Sequence, residues 1–297
     1  MQKQNTLLLF LLAVLVSLST YAQPYVDPLN FNTQYYQTTY KDSVRGTSQN
    51  MIYNLNLFLP KEFKNGNTLI IRAGAENVHS QYSNGSYTYA NNLYSLSMPI
   101  GMQLVSSNKK WKGLFLALPK INSDFKDDLS RDVQLGGMVL GTYVKNDNLK
   151  FKLGLYYSPE FWGNFFVPLV GMDWKINNHW SMYGVMPSNY RIEYRANNKL
   201  YMGLGFKSFQ RSYRLSKAYN NDFVRLRDSQ IKLFVDYFVY KKIMLFADVA
   251  YGVPYSLTQY SHGKTLDFQN NPLYAPMHNS MLFTLGFAYR IRLDLKP

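Results

Sequence analysis

The feature that most constrains the fold is an alternating stretch that begins at Asn146 and ends at Tyr157. Its first three residues, Asn-Asp-Asn, are typical of a tight turn. After the turn, apolar side chains occupy every second position, and Lys150, Lys152 and Gly154 lie between them. Side chains of a strand point alternately to its two faces, so one face here is continuous hydrocarbon and the other carries charge.

The same alternation recurs through most of the chain. Clear examples are Tyr53 to Leu59, Tyr94 to Leu104, Phe166 to Ile176, Ile231 to Val239 and Phe283 to Ile291. Aromatic residues make up 16% of the sequence and charged residues only 17%, which suits strands that are apolar on one face and polar on the other. The pattern predicts an all-β fold, an antiparallel transmembrane β-barrel, with a soluble exported sandwich as the alternative.

The connections between the strands are predicted to alternate in length. Tight turns are expected at 65–66, 109–110, 146–148, 177–178, 197–198 and 241–242, and longer polar loops at 76–91, 208–221 and 256–279. Bacterial outer-membrane barrels combine short periplasmic turns with longer external loops, and they have an even number of strands. A count that includes the candidate Phe31 to Tyr40 gives about 14 strands, and merging the poorest candidates gives about 12.

The first residues have the composition of a secretory signal peptide. Lys3 supplies positive charge, Leu7 to Leu18 form an apolar run, and Thr20-Tyr21-Ala22 resembles a cleavage site. We therefore predict a signal peptide at residues 1–22 and a barrel domain at 23–297, located in the outer membrane of a Gram-negative bacterium. The alternative is a membrane anchor, but the apolar run is shorter than the roughly 20 residues that a spanning helix needs.

The TYAQ cleavage region, the alternating strands and an apolar last strand that carries arginines resemble exported outer-membrane β-barrels of Bacteroidota. The stretch from GNTLIIRAGAENVHSQY through KLGLYYSPEFWG to VDYFVYKKIMLFADVAYGVPYS is similar to one of their families of unknown function. The resemblance implies the barrel-assembly machinery as a partner. Such barrels commonly end on an aromatic residue, whereas this sequence ends Leu-Asp-Leu-Lys-Pro, so we expect the assembly signal within Phe287 to Leu293.

Charged residues recur on the polar faces of the predicted strands. They could form an electropositive channel that selects anions, because rings of charge bias a pore. They could equally be paired charges that hold the wall in shape, since buried charges must be paired, and this second interpretation is the one we favour. The predicted lumen-facing residues are Arg72, Lys150, Lys152, Asp173, Lys175, Arg191, Glu193, Arg195, Lys232, Asp236, Asp248, Arg290 and Arg292.

A second group of cations lies in the predicted loop 208–221 and just before it, with no acid among them. The formal net charge is +14, and the anions nearest to an exported barrel are lipid head groups and lipopolysaccharide phosphates rather than nucleic acid. The group is a candidate site for lipopolysaccharide or another anionic ligand, or else an ordinary solvated loop. Its members are Lys207, Arg211, Arg214 and Lys217. Tyr82, Tyr87 and Tyr89 are expected to anchor the first long loop at the interface or to stack on sugars.

Motifs for catalysis are absent from the sequence. There is no cysteine, and His79, His179, His262 and His278 share no metal-ligand spacing. We predict no catalytic residue, no metal and no cofactor, although a membrane-embedded hydrolase with a Ser, His and Asp/Asn group assembled from loops is a third alternative. The leading prediction is a narrow channel or transporter for small anionic or amphipathic solutes. The second is a non-conducting barrel with a structural or surface-binding role.

Overall fold

The computed structural model describes residues 24–39, 46–83, 88–219, 222–261, 264–265 and 278–294. The predicted signal peptide, Tyr87 and His262 lie outside these residues. The strands are β1 (Tyr25–Thr39), β2 (Thr47–Glu62), β3 (Thr68–Ser83), β4 (Thr88–Ser97), β5 (Ile100–Val105), β6 (Trp111–Ser123), β7 (Val133–Asn146), β8 (Leu149–Glu160), β9 (Gly163–Lys175), β10 (Trp180–Met186), β11 (Asn189–Arg195), β12 (Leu200–Arg214), β13 (Phe223–Tyr240), β14 (Ile243–Ser261), β15 (Lys264–Thr265) and β16 (Ser280–Arg292). Short 3-10 turns occur at Leu129–Arg131 and Lys217–Tyr219.

The strands form one antiparallel sheet that closes on itself. Closure follows from β1, which pairs with β2 on one side and with β16 on the other, while β16 also pairs with β14. β4 and β5 together form one interrupted strand, because both pair with β3 and with β6. β15 pairs only with the end of β14, so the barrel wall contains 14 strands. The predicted barrel with about 14 strands is confirmed, and the alternative of 12 is wrong.

The two ends of the barrel differ in their connections. The six predicted tight turns all lie at the end where β1 begins and β16 ends, which we refer to as the terminal end. The opposite end, referred to as the loop end, carries the longer connections β1–β2, β6–β7, β12–β13 and β14–β16. It also carries short turns after β8 and β10, so long and short connections are mixed there.

Large apolar side chains cover the outer face of the wall. On β8, β9 and β16 they run from Leu149 to Tyr157, from Phe166 to Trp174 and from Met281 to Tyr289. Each run is about nine residues long, which matches a strand that crosses a bilayer. Leu153 is 69% exposed and Leu285 is 64% exposed, as expected where lipid replaces water as the solvent. We refer to this surface as the apolar band.

Aromatic pairs lie at both edges of the apolar band. At the terminal end the rings of Trp111 and Tyr143 are 4.8 Å apart. At the loop end those of Tyr157 and Phe166 are 4.9 Å apart. Aromatic girdles of this kind occupy the two membrane interfaces of outer-membrane barrels.

Three predicted long loops are partly strands. Residues 76–83 belong to β3 and 88–91 to β4, residues 208–214 continue β12, and residues 256–261 continue β14. The prediction failed because the strands extend beyond the apolar band, where the outward face meets no lipid and no longer needs apolar residues. Tyr82, expected in a loop, is 2% exposed in the barrel interior.

Candidate functional site

The 13 predicted lumen-facing charges all lie on strands, and ion pairs between described residues join at least nine of them to a partner. The nine are Lys152, Asp173, Arg191, Glu193, Lys232, Asp236, Asp248, Arg290 and Arg292. The other four are Arg72, Lys150, Lys175 and Arg195, of which Arg195 donates to the side chain of Asn198 and Arg72 lies over the ring of Phe58 at 4.6 Å.

Asp236 of β13 is the centre of an ionic network in the lumen. Its Oδ2 accepts from Arg191 at 2.8 Å and from Arg290 at 2.6 Å. Arg290 also donates two hydrogen bonds to Asp27, at 2.7 and 2.8 Å. Through these contacts β11, β13, β16 and β1 are linked across the interior rather than only along the wall.

A second ionic group joins the same strands nearer the terminal end. Arg292 of β16 donates to Glu193 of β11 at 2.8 Å and also pairs with Asp294. The hydroxyl of Tyr183 on β10 donates to the other oxygen of Glu193 at 2.6 Å. The two groups together contain three guanidinium groups and four carboxylates, so their charges nearly balance, as buried charges require.

Tyr25 is part of this network and was not predicted. Its ring centroid lies 3.4 Å from the guanidinium of Arg290, and its hydroxyl accepts from Arg191 at 3.0 Å. Its ring also meets that of Tyr183 edge-on at 5.7 Å. The sequence contains no signal for Tyr25, because the predicted first strand begins only at Phe31, and the same boundary leaves out Asp27.

A cavity of about 440 Å³ lies beside the network. Side chains from opposite parts of the wall line it, including Tyr25, Asn30, Asn56, Phe58, Arg72 and Arg191. Its lining therefore combines guanidinium groups, amides and aromatic rings. The side-chain amide of Asn32 donates to Oδ1 of Asn30 and accepts from Nδ2 of Asn54. These two hydrogen bonds orient the amides on β1 and β2.

Part of the chain itself packs inside the loop end of the lumen. We refer to the segment from Phe209 in β12 to Asp228 in β13, with its connection, as the hairpin tip. One face of the tip packs against the inner wall of β1 to β4, β14 and β16, and every buried member of the resulting core is at most 2% exposed. The tip contributes Tyr213, Leu215, Val224 and Leu226, and the wall contributes Tyr36, Ile52, Val78, Tyr82, Leu93, Ala250 and Leu282.

Glu76 of β3 extends the contact between the tip and this wall. It accepts from Arg211 at 2.5 Å and from the hydroxyl of Tyr213 at 2.7 Å. The core and these bonds together attach the tip to one side of the barrel.

The other side of the tip is attached by polar groups, which we refer to as the seam. Glu160, at the end of β8, accepts from the backbone N–H and from the hydroxyl of Ser212, both at 2.7 Å, and from Lys120 at 2.5 Å. The N–H of Asp124 donates to the carbonyl of Arg214 at 3.2 Å, and the carboxylate of Asp124 accepts from the N–H of Ser216 at 3.1 Å. The seam thus provides hydrogen-bond partners for the edge of β12 beyond Ser208, where β11 no longer pairs with it.

The structure corrects the predicted basic loop. Lys207, Arg211 and Arg214 lie on β12, and their carboxylate partners are Asp228 at 3.2 Å, Glu76 at 2.5 Å and Asp132 at 3.6 Å. Lys217 lies in the following 3-10 turn and donates its backbone N–H to Asp127. The acids come from elsewhere in the chain, so the local sequence contained no sign of them. In the β6–β7 connection, burial raises the pKa of Asp132, whereas the N–H of Ser130 lowers the pKa of Asp128.

The three described histidines lie apart, on β3, between β9 and β10, and before β16. On the outer face, Nδ1 of His79 lies 3.0 Å from Oδ1 of Asn92, which is part of a hydrolase-like arrangement. The neighbouring positions on the same face of β3 are Asn77 and Gln81, whose amides are not nucleophiles. His179 bonds to the carbonyl of Arg195 at 2.8 Å, and His278 donates its N–H to Thr39. Among the described residues, no cluster of three His, Cys, Asp or Glu could hold a metal.

A family model described as "Domain of unknown function (DUF6268)" matches residues 18–290. No curated protein matches the sequence. Among solved structures, the chain is similar to the toluene transporter TodX of Pseudomonas putida, with 10% identity, a TM-score of 0.47 and 93% of each chain covered. It is also similar to an outer membrane channel from Pseudomonas putida F1, with 10% identity, a TM-score of 0.44, and 90% of this chain and 96% of that chain covered. For the NanC porin the identity is 10%, the TM-score 0.38, and the coverage 89% of this chain and 100% of that chain.

Proposed function

The chain belongs to the family described as a domain of unknown function (DUF6268), and we propose that it is an outer-membrane channel whose loop-end mouth is closed by its own hairpin tip. The observation that carries this proposal is the packing of the tip inside the loop end of the lumen. The ends of β12 and β13 form an apolar core with the inner wall there, while β13 stays paired with β14 and the wall below remains a closed barrel.

The proposed location follows from the wall. A closed sheet leaves no unpaired strand edge in lipid, and the apolar band has the length of a bilayer crossing. Under this proposal residues 1–22 are a cleaved export signal, the assembly machinery inserts the barrel, and the source is a Gram-negative bacterium of Bacteroidota type.

The hairpin tip can act as a gate because its two attachments differ. The apolar core against β1 to β4 is extensive, whereas the seam consists of a few hydrogen bonds to Glu160 and Asp124. Breaking the seam would free the edge of β12 without breaking any strand pair of the wall below Ser208, where β12 remains paired with β11 and β13. Movement of the tip away from the seam would therefore open the mouth while breaking the fewest contacts.

The proposed solutes are small and anionic or amphipathic. The cavity of about 440 Å³ falls within the range of roughly 300–1,000 Å³ that is typical of small-molecule sites. Arg72 and Arg191 would favour a carboxylate or phosphate, and Tyr25 and Phe58 would contact an apolar part of the same molecule. The ionic network, whose charges nearly cancel, would position Arg191 rather than supply a strong net field.

The test is single-channel conductance in planar bilayers after the tip is removed. Residues 211–226 are replaced by an Asn-Gly turn, which joins the register pair Gln210 and Arg227 in a two-residue hairpin. We expect the wild type to be closed for most of the time and the shortened variant to conduct continuously. Heat-modifiable migration on gels provides the folding control for both proteins.

A folded, inserted variant that conducts no more than the wild type would contradict the channel proposal. That result would support the second candidate, a non-conducting barrel, which the buried core between the tip and the wall favours. If the shortened variant does not fold, Glu160→Gln provides a milder opening of the seam for the same measurement.

A further inference from the structure

The hairpin tip and the adjoining part of β12 carry cations on both faces, and these cations differ in how their charges are satisfied. Lys207, Arg211 and Arg214 have carboxylate partners. Arg225 and Arg227 of β13 lie on the face that is outward in the barrel wall, alternating with the buried Val224, Leu226 and Asp228. In the described part of the chain, neither Arg225 nor Arg227 forms an ion pair.

Neutral groups hold Arg225 in place. Its guanidinium donates through Nε to Oε1 of Gln210 at 3.1 Å, and it lies 4.6 Å from the ring centroid of Trp162. Both contacts orient the group and leave its positive charge uncompensated. Arg227 follows two residues later on the same strand face and is exposed. The backbone positions of the two arginines are therefore about 7 Å apart, a spacing at which both can reach one anionic group.

The level of these arginines relative to the membrane follows from β13. Its outward apolar residues run from Val239 to Ile231, so Arg227 lies four residues beyond the edge of the apolar band. Four residues of strand correspond to about 13 Å, and less along the membrane normal because strands in such barrels are tilted. The turn after β8 places Trp162 next to Phe165, with ring centroids 6.0 Å apart, at the same edge. This is the level of lipid head groups, where tryptophan is enriched.

We propose that Arg225 and Arg227, with Gln210 and Trp162, bind a phosphate group of a glycolipid in the leaflet at the loop end. Arginine recognises phosphate through paired N–H donors, and two arginines on one strand face present several such donors to a dianion. The indole of Trp162 would pack against the sugar that carries the phosphate. The inference rests on the proposed outer-membrane location and is independent of channel activity.

The test is retention of lipid A by the detergent-purified, folded protein, measured by native mass spectrometry. Diphosphorylated lipid A and its dephosphorylated form are the two probes. The test variant is Arg225→Gln with Arg227→Gln. The matched control is Lys241→Gln with Lys242→Gln, which removes two exposed cations beside Tyr240 and Tyr289 at the terminal end.

We expect the wild type and the control to retain diphosphorylated lipid A and the test variant to lose at least roughly tenfold in retention, because charge-assisted hydrogen bonds are removed. The dephosphorylated probe should be retained weakly by all three proteins. Equal retention of diphosphorylated lipid A by the test variant and the wild type would overturn the proposal, as would equal retention of both probes by the wild type. Heat-modifiable migration and insertion into vesicles, measured on the same samples, test the outer-membrane barrel separately.

Discussion

Asp236 is the single residue on which most of the lumen network depends. It is 2% exposed and accepts from both Arg191 and Arg290, so Asp236→Asn would leave two buried guanidinium groups short of one negative charge. Removing one partner of a buried ion pair commonly costs about 3–5 kcal/mol. We expect a loss of this size in the free energy of unfolding, measured by urea titration in lipid vesicles. Asp147→Asn, at an exposed tight turn, is the control, and an equal effect of the two substitutions would contradict the network.

Two glycines of the wall provide a matched test of strand packing. A Cβ at Gly203 would lie 1.9 Å from the carbonyl oxygen of Ile192 on β11, whereas a Cβ at Gly137 would meet nothing closer than 3.7 Å. We expect Gly203→Ala to destabilise the barrel by about 1–3 kcal/mol and Gly137→Ala to have little effect. Thermal unfolding followed by loss of heat-modifiable migration measures both. Equal midpoints for the two variants would show that β11 and β12 are less closely packed than described.

At the scale of residues, the sequence predicted faces correctly but could not predict partners. Alternation along β8 and β9 assigns Lys152 and Asp173 to the lumen, and the structure joins them at 2.6 Å. The pairs that cross the lumen, such as Arg292 with Glu193, join strands that are not neighbours in the sheet. Period-two alternation contains no information on which strand lies across the interior, so these contacts required the closed sheet.

Among the elements, the hairpin tip is the one that the sequence pattern did not predict. Its alternation is also period two, but tyrosine, arginine and serine share its faces because it lies beyond the apolar band, where neither face meets lipid acyl chains. A stretch without an apolar outward face resembles a loop, which is why the segment 208–221 has the pattern of one. The regular strands of the wall were predicted correctly because each has lipid on one side only.

Glu160 holds the seam together and provides a test of the tip as an element. Glu160→Gln keeps the shape of the side chain but removes the charge that binds Lys120 and weakens the bonds to Ser212. Charge-assisted hydrogen bonds are about twice as strong as neutral ones, so the seam should open more often. We expect a rise in the open probability of roughly tenfold, which corresponds to about 1.4 kcal/mol, in planar bilayers. An unchanged open probability in the folded variant would show that the seam does not control opening of the channel.

For the whole molecule, the sidedness of the wall predicts where a charge is tolerated. Val235 lies at the middle of the apolar run on β13, and Ser229 lies beyond its loop-end edge. We expect Val235→Arg to destabilise the barrel in bilayers by about 2–4 kcal/mol and Ser229→Arg by about 0–1 kcal/mol, because the cost depends on depth. Urea titration in vesicles measures the difference. A smaller cost at Val235 than at Ser229 would place the apolar band elsewhere.

The number of strands, their antiparallel order and the turn asymmetry of the whole barrel were predictable because each follows from local alternation and turn residues. The packing of the hairpin tip inside the lumen was not, since it depends on Glu76 of β3, Asp124 after β6 and Glu160 of β8, which lie far from the tip in the sequence. The candidate site was therefore predicted only as a set of inward charges.

We propose that the tip closes the mouth of the barrel reversibly, and a disulfide between the tip and β6 tests this proposal. Ser123 and Arg214 are register partners where β12 meets β6, and the chain has no cysteine of its own. Paired backbones at this distance suit a disulfide, so Ser123→Cys with Arg214→Cys should cross-link the tip to the wall. We predict no conductance in the oxidised protein and openings after addition of a reductant, with the single variant Arg214→Cys insensitive to both. Equal conductance before and after reduction would rule out reversible closure of the mouth by the tip.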